Sequence, residues 1–421
     1  MSLKRNKSSN SLINVPEPIE KMKAMKIHST NHSKNRKQLV RYYLLIVFSY
    51  LLIVFSVSAA ESQTFTITGS TEIIHCDFSS PDGTVWALAM DFDPSVKDQK
   101  STYSILKFSR NKSISQYKLP ILMGTIVTPY RAKNQVRFFR LIDNRYLYIG
   151  TMQLDGTIYF VKFDTRHPEN KQESMKMRLK GDTDAANIFV TDDGSLRFVG
   201  SENDLPYFVA LDTNKQTIFE KKGFGLSGTG KLKLSALLNN GYLLLAFNTY
   251  QGDETGTASL ALLNTKGEVV EKKKLQGLVV EIKPAGDTSA IILIAHDQGG
   301  KDMEAQAVDN HLNVISRYPV PEYFKLIDAA GQLLGVNSTT LLSILVNRTH
   351  GSQSFADLET YSTSGSKSIG QINNSLPGEL RAYNISSQLI GRTLYIGTAV
   401  IGISNENKGQ KTFQIETFTV Q

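Results

Sequence analysis

From Gly69 onward the chain alternates short apolar runs with polar turns rich in Asp, Asn and Gly, and stretches with helical periodicity are scarce. One unit recurs: an apolar strand, a tight polar turn, and a second apolar strand that ends on a small residue. It stands at 78–87, 141–150, 190–200, 237–246 and 389–397, with weaker copies around Gly286 and Gly331. In 141–150, Leu141-Ile142 and Tyr146-Leu147-Tyr148-Ile149-Gly150 flank Asp143-Asn144-Arg145. A two-residue hairpin turn needs positive φ, which Asn, Asp and Gly tolerate, so these tips predict antiparallel hairpins.

Turns at Asn144, Gly194, Gly241, Gly286 and Gly331 lie 50, 47, 45 and 45 residues apart, the length of one four-stranded propeller blade. A second hairpin follows roughly twenty residues after each of the first four, at Phe163-Asp164-Thr165-Arg166, Leu211-Asp212-Thr213-Asn214, Leu263-Asn264-Thr265-Lys266-Gly267 and Val308-Asp309-Asn310-His311. Two hairpins per period supply four strands, so the repeat accounts for a whole blade. With Gly83 and Gly391 added, the first-hairpin turns number seven. The predicted fold is therefore all-β, a β-propeller of seven four-stranded blades in one domain, 61–421. The N-terminal strand 64–68 is expected to pair with the C-terminal strand 412–418 and close the ring, which removes exposed strand edges. The first and last turn-to-turn intervals are longer, about sixty residues, and predict either insertions or a further strand pair there, which leaves six and eight blades as the alternatives to seven.

The pattern resembles the broad quinoprotein-like and WD-repeat-like propeller superfamily over most of 64–421. Leu211-Asp212-Thr213 and Leu263-Asn264-Thr265-Lys266-Gly267 are similar to the middle of the pyrroloquinoline-quinone repeat, but Trp86 is the only tryptophan, so that repeat's docking tryptophans are missing. The same absence argues against true WD and kelch repeats. The resemblance implies a propeller, and no family's catalytic residues carry over to this chain.

Ahead of the repeats, Lys34, Arg36, Lys37 and Arg41 precede an uncharged apolar run, 42–57, which ends at Ser58-Ala59-Ala60. A basic flank, an apolar core and small residues in sequence predict an export signal cleaved after Ala60 or Ala59. The competing expectation is an uncleaved anchor helix, since the run approaches the ~20 residues that span a bilayer. The basic flank places the β domain across the membrane in both cases. The expected location is thus periplasmic or extracellular, with residues 42–60 as the only membrane contact. The polar stretch before Arg36 is long for a leader, and Met25 is an alternative start.

The leader also changes the electrostatics. The formal net charge of +8 would suggest an anionic partner. Residues 1–60 carry ten Lys and Arg against two Asp and Glu, which leaves 37 of each sign in the rest. A nucleic-acid partner is not expected. Cys76, the only cysteine, excludes an intrachain disulfide and a cysteine metal cage and is expected to be a buried small hydrophobe.

Few segments suggest chemistry. The glycines of 223–230 match GxGxxG, yet the alternating 231–238 predicts a strand where a nucleotide site needs a helix. His296-Asp297 with Asp302, and Asp91 with Asp93, place ligand-type side chains on loops without the three or four that a metal requires. His75, His167, His311 and His350 are scattered, and Asn111, Asn337, Asn347, Asn373 and Asn384 begin N-x-S/T sequons. No cofactor is expected. One apolar, Pro-bounded segment falls outside the hairpin pattern, 119–131; Ile121, Met123, Ile126 and Tyr130 there are candidate contacts for a partner, set against burial in the core. The expected function is an exported, non-enzymatic propeller that binds another protein through its loop faces, an inhibitor or immunity-type protein being one form. The alternative is a hydrolase, lactonase or lyase with its site at the channel mouth.

Overall fold

The computed structural model describes residues 61–69, 71–91, 102–119, 135–153, 156–178, 182–202, 205–225, 231–251, 255–285, 289–297, 302–319, 331–337, 340–346, 356–362, 365–372, 380–402, 405 and 408–419. Its elements there are all β-strands. β1 is Glu61–Ile67. The next four, β2 (Thr71–Asp77), β3 (Val85–Asp91), β4 (Thr102–Phe108) and β5 (Ile114–Lys118), form a consecutive antiparallel sheet. So do β6 (Val136–Ile142), β7 (Tyr146–Met152), β8 (Thr157–Asp164) and β9 (Glu173–Arg178). β10 (Asp182–Val190), β11 (Leu196–Glu202), β12 (Leu205–Leu211) and β13 (Thr217–Lys222) repeat the order. β14 (Lys231–Leu237), β15 (Leu243–Gln251), β16 (Thr255–Leu263) and β17 (Val269–Gln276) follow. Then come β18 (Leu278–Ala285), β19 (Ser289–Ala295), β20 (Met303–Val308) and β21 (Val314–Pro319). The sixth group is β22 (Gly331–Asn337), β23 (Thr340–Val346), β24 (Ala356–Ser362) and β25 (Gly365–Ile372). Last, β26 (Leu380–Ile390), β27 (Thr393–Gly402) and β28 (Lys411–Thr419) complete a sheet whose fourth strand is β1, in the order β1-β28-β27-β26.

The first strand of each group touches the first strand of the next from β2 through β22, and β26 lies against β2. Sheets arrayed about a shared line of inner strands are the propeller arrangement. β1 pairs with β28 in register, Thr64 opposite Gln414, Phe65 opposite Phe413 and Thr66 opposite Thr412.

The core explains why the middle strands read as near-continuous apolar runs. A blade is covered on both faces, so both sets of alternating side chains are buried, as in other doubly covered sheets. On β3, Val85, Ala87 and Ala89 pack with Phe65, Phe413 and Ile415 of the sheet on one side, whereas Trp86, Leu88 and Met90 pack with Leu147, Ile149 and Phe163 on the other. On β15, Leu243, Leu245 and Phe247 join Val199 and Phe208, and Leu244 and Ala246 join Val279 and Ile292. Cys76 is buried in the first of these clusters, and its Sγ would lie 2.8 Å from a Cβ placed on Gly397. The outer strands β9 and β13 alternate exposed with half-buried side chains, as expected with solvent on one edge.

Polar groups join neighbouring sheets. The Asp77 carboxylate, buried at the end of β2, accepts the backbone N–H groups of Ser79 at 2.8 Å and of Leu141 on β6 at 3.2 Å. Burial pushes its pKa up against these bonds. Gln388 Oε1 on β26 accepts the N–H of Phe78 at 3.0 Å, and Arg140 pairs with Asp192 at 2.6 Å.

One expected turn is misplaced. Gly331 is not a hairpin tip; it opens β22, which pairs with β23, and the residues between these strands lie outside the described ones. The Asp328-Ala329-Ala330-Gly331 stretch has turn composition, but Gly331 pairs with Leu345, and Leu333 and Leu334 pair with Ser343 and Leu342. The shift lengthens the preceding interval and shortens the last one. The extra residues lie in the connections 92–101, 119–135 and 320–330.

Candidate functional site

Each strand of an antiparallel sheet reverses the chain. Connections after the first and third strands of a sheet therefore emerge at one end of the sheets, and those after the second and fourth at the other. The two ends differ. At the first end no connection between described strands is longer than 165–172. Most of its turns are locked by a side-chain oxygen over backbone N–H groups, an Asx-type device that fixes short reversals. Asp193 Oδ1 accepts from Ser195 N at 2.9 Å, Asn264 Oδ1 from Lys266 N and Glu268 N at 3.0 Å, and Asp309 Oδ1 from His311 N and Asn313 N at 2.8 Å. Partial burial raises the Asp193 and Asp309 pKa values, but these bonds outweigh it and hold both carboxyls below their ordinary range. At the 143–145 turn Asp143 and Asn144 both take positive φ, 53° and 51°, so the chain reverses there without glycine.

The second end carries the longest connections, 92–101, 119–135, 320–330 and 347–355. Ile121, Met123, Ile126 and Tyr130 lie outside the described residues, as do Asp93 and His350. The entrance to their segment is fixed: Leu119 is buried, and its N–H donates to the Tyr103 carbonyl at 2.8 Å.

Candidate ligand groups at this end have other employment. Asp91 accepts from the hydroxyls of Thr71 at 2.7 Å and Thr102 at 3.3 Å, which ties β2 and β4 across the end of β3. In 296–302 the His296 N–H donates to the Asp302 carbonyl at 2.8 Å and the Asp302 N–H to Asp297 Oδ1 at 3.2 Å, closing the loop on itself. Beside it Glu304 accepts from Arg317 at 2.5 and 2.8 Å and from Gln306 Nε2 at 2.7 Å, with His296 Nε2 at 3.7 Å. Burial raises the Glu304 pKa, and the Gln306 and Arg317 bonds bring it below the usual carboxylate value. Sequence reasoning did not single out Glu304 or Arg317; their pairing depends on the register Glu304 opposite Pro319, which composition does not reveal. Among the described residues no group of three or more His, Cys, Asp and Glu is placed to hold a metal ion. No helix among them is long and apolar enough to cross a membrane.

The glycine-rich 223–230 leads straight into β14, a strand. Gly223, Phe224 and Gly225 take positive φ, and Lys272 Nζ donates to the Gly225 carbonyl at 2.9 Å, so the described part of this segment is a connection bonded to the outer strand of the next sheet.

No protein-family model matches the chain, and no curated protein matches it. Solved structures of propeller type do. Sqt1 from Chaetomium thermophilum is 10% identical over 86% of this chain and 100% of its own, with a TM-score of 0.45. Kluyveromyces lactis Hsv2 is 10% identical over 73% of this chain and 98% of its own, with a TM-score of 0.38. Prolyl oligopeptidase B from Galerina marginata is 10% identical over 79% of this chain and 47% of its own, with a TM-score of 0.36. At these identities and scores no residue role carries over to this chain.

Proposed function

We propose that the seven sheets are the complete blades of a ring closed by β1 on β28, and that this exported propeller binds another protein through the end that carries its long connections. The observation that carries the reading is the segregation of the connections: Asx-locked reversals at one end, and 92–101, 119–135, 320–330 and 347–355 at the other. Long connections on a rigid frame are where binding function concentrates. The apolar Ile121, Met123, Ile126 and Tyr130 belong to the longest of them, which suits a contact with a protein surface. Export rests on the basic, apolar and small-residue order of 34–60, and loss of that segment from the exported protein, read by N-terminal sequencing, tests it.

The binding reading is tested by charging the segment. Ile126→Asp is expected to fold as the parent does and to lose partner capture. An unfolded Ile126→Asp protein means that the segment belongs to the core instead.

A further inference from the structure

The first strand of each sheet has a ladder neighbour on one side only, so its other edge faces the centre of the ring. Val280 on β18 is 41% exposed, whereas Ile74 on β2 is buried. These inner strands share a device: a register shift against the second strand of the sheet. It leaves Ile74, Arg137, Lys233, Val280, Val336 and Ile385 as the extra residues of β2, β6, β14, β18, β22 and β26. In β10 the irregularity lies between Asp182 and Asn187. A bulge re-aims the side chain it carries and is common beside functional sites.

Arg137 stands out within this set. Val136 packs into the hydrophobic cluster on one side of β6 and Phe138 into the cluster on the other. Arg137 is half-buried, and its Nε is buried without a hydrogen-bond partner. The same holds for Gln135 Oε1, two residues earlier, and for Ser235 Oγ on β14. Burial pushes the guanidinium pKa down. A guanidinium keeps its proton at neutral pH, so a desolvated one calls for an acceptor. Its planar fork matches the two oxygens of a carboxylate or phosphate.

We propose that Arg137 anchors an oxyanion-binding site on the inner edge of β6, taking the carboxylate or phosphate group of a ligand that enters the centre of the ring. The site rests on the closed ring proposed above and is independent of protein binding at the loop end. The inner strands in contact with β6 are β2 and β10, and β10 carries Asp182 and Asp184. An internal counter-ion from β10 is the competing arrangement.

The test titrates the purified protein with inorganic phosphate and with succinate at constant ionic strength, using chloride as the control, by calorimetry and thermal unfolding. The site predicts saturable binding of phosphate, succinate or both, and the arm that responds identifies the group recognised. Arg137→Met is expected to weaken it on the order of tenfold or more, the value of one charge-assisted pair, while folding as well as the parent without anion. The Arg137 Nε–H resonance of the unaltered protein is expected to shift with the same titration, a readout that does not depend on the variant folding. Absence of saturable binding, binding unchanged in Arg137→Met, or an Nε–H resonance that does not respond would each overturn the proposal.

Discussion

Asn248 on β15 and Val279 on β18 exchange two hydrogen bonds across neighbouring sheets, Val279 N–H to Asn248 Oδ1 at 3.1 Å and Asn248 Nδ2 to the Val279 carbonyl at 3.0 Å. Both residues are buried, and Val279 is the second residue of its strand, beside the bulge at Val280. The side-chain amide thus replaces the ladder partner that the edge of β18 lacks. Asn248→Ala leaves a buried donor and acceptor without partners and is expected to destabilise the protein by about 1–3 kcal/mol in urea unfolding. Asn248→Asp keeps an acceptor for Val279 N–H, cannot donate to its carbonyl and buries a charge, so its loss is expected to be at least as large.

Glu416 on β28 faces Ile396 and Ser62 across its two ladders and is 5% exposed. Burial pushes its pKa up to about 7. A carboxyl whose folded pKa is raised binds its proton more tightly in the native state than in the unfolded chain. Stability should therefore fall as pH rises from about 4.5 to about 7 and level off above. Glu416→Gln is expected to remove that component and to stabilise the protein at pH 8 by something on the order of 1–3 kcal/mol. Parallel urea unfolding of parent and variant from pH 5 to pH 8 checks this; equal pH dependence in the two would contradict it.

Glycines of similar backbone conformation should respond differently to substitution. Gly194 has φ 78°, and a Cβ there would lie 2.5 Å from the Tyr148 hydroxyl and 2.9 Å from its ring. Gly391 has φ 60° with nothing within 4 Å of such a Cβ. Gly194→Ala combines left-handed strain with an overpacked contact between sheets and is expected to lose on the order of 2–4 kcal/mol. Gly391→Asn should stay within about 1 kcal/mol of the parent, because Asn tolerates this conformation in open space. Thermal unfolding of both variants gives the comparison.

The strand pattern was legible because its causes are local. Asp143-Asn144 reverses the chain through its own positive φ, and Leu243-Leu244-Leu245-Ala246 announces a strand buried on both faces. Gly331 misled because glycine in a polar stretch is turn-like on its own, and only pairing with β23 draws it into a strand. The relationships that bear on function were not legible. Arg137 in Gln135-Val136-Arg137-Phe138 reads as an ordinary polar position until the register shift makes it the extra residue. Its counterparts Ile74 and Val280 are apolar, a contrast visible only after the strands are aligned by their bulges.

The central claim, that this propeller binds a protein through the end bearing its long connections, is tested most directly by quantitative capture with three baits. These are the unaltered protein, Ile126→Asp at the loop end, and Lys266→Glu on the Asx-locked turn 264–268 at the opposite end. A partner captured by the unaltered protein is expected to be lost with folded Ile126→Asp and retained with Lys266→Glu. Retention with folded Ile126→Asp together with loss with Lys266→Glu would contradict it.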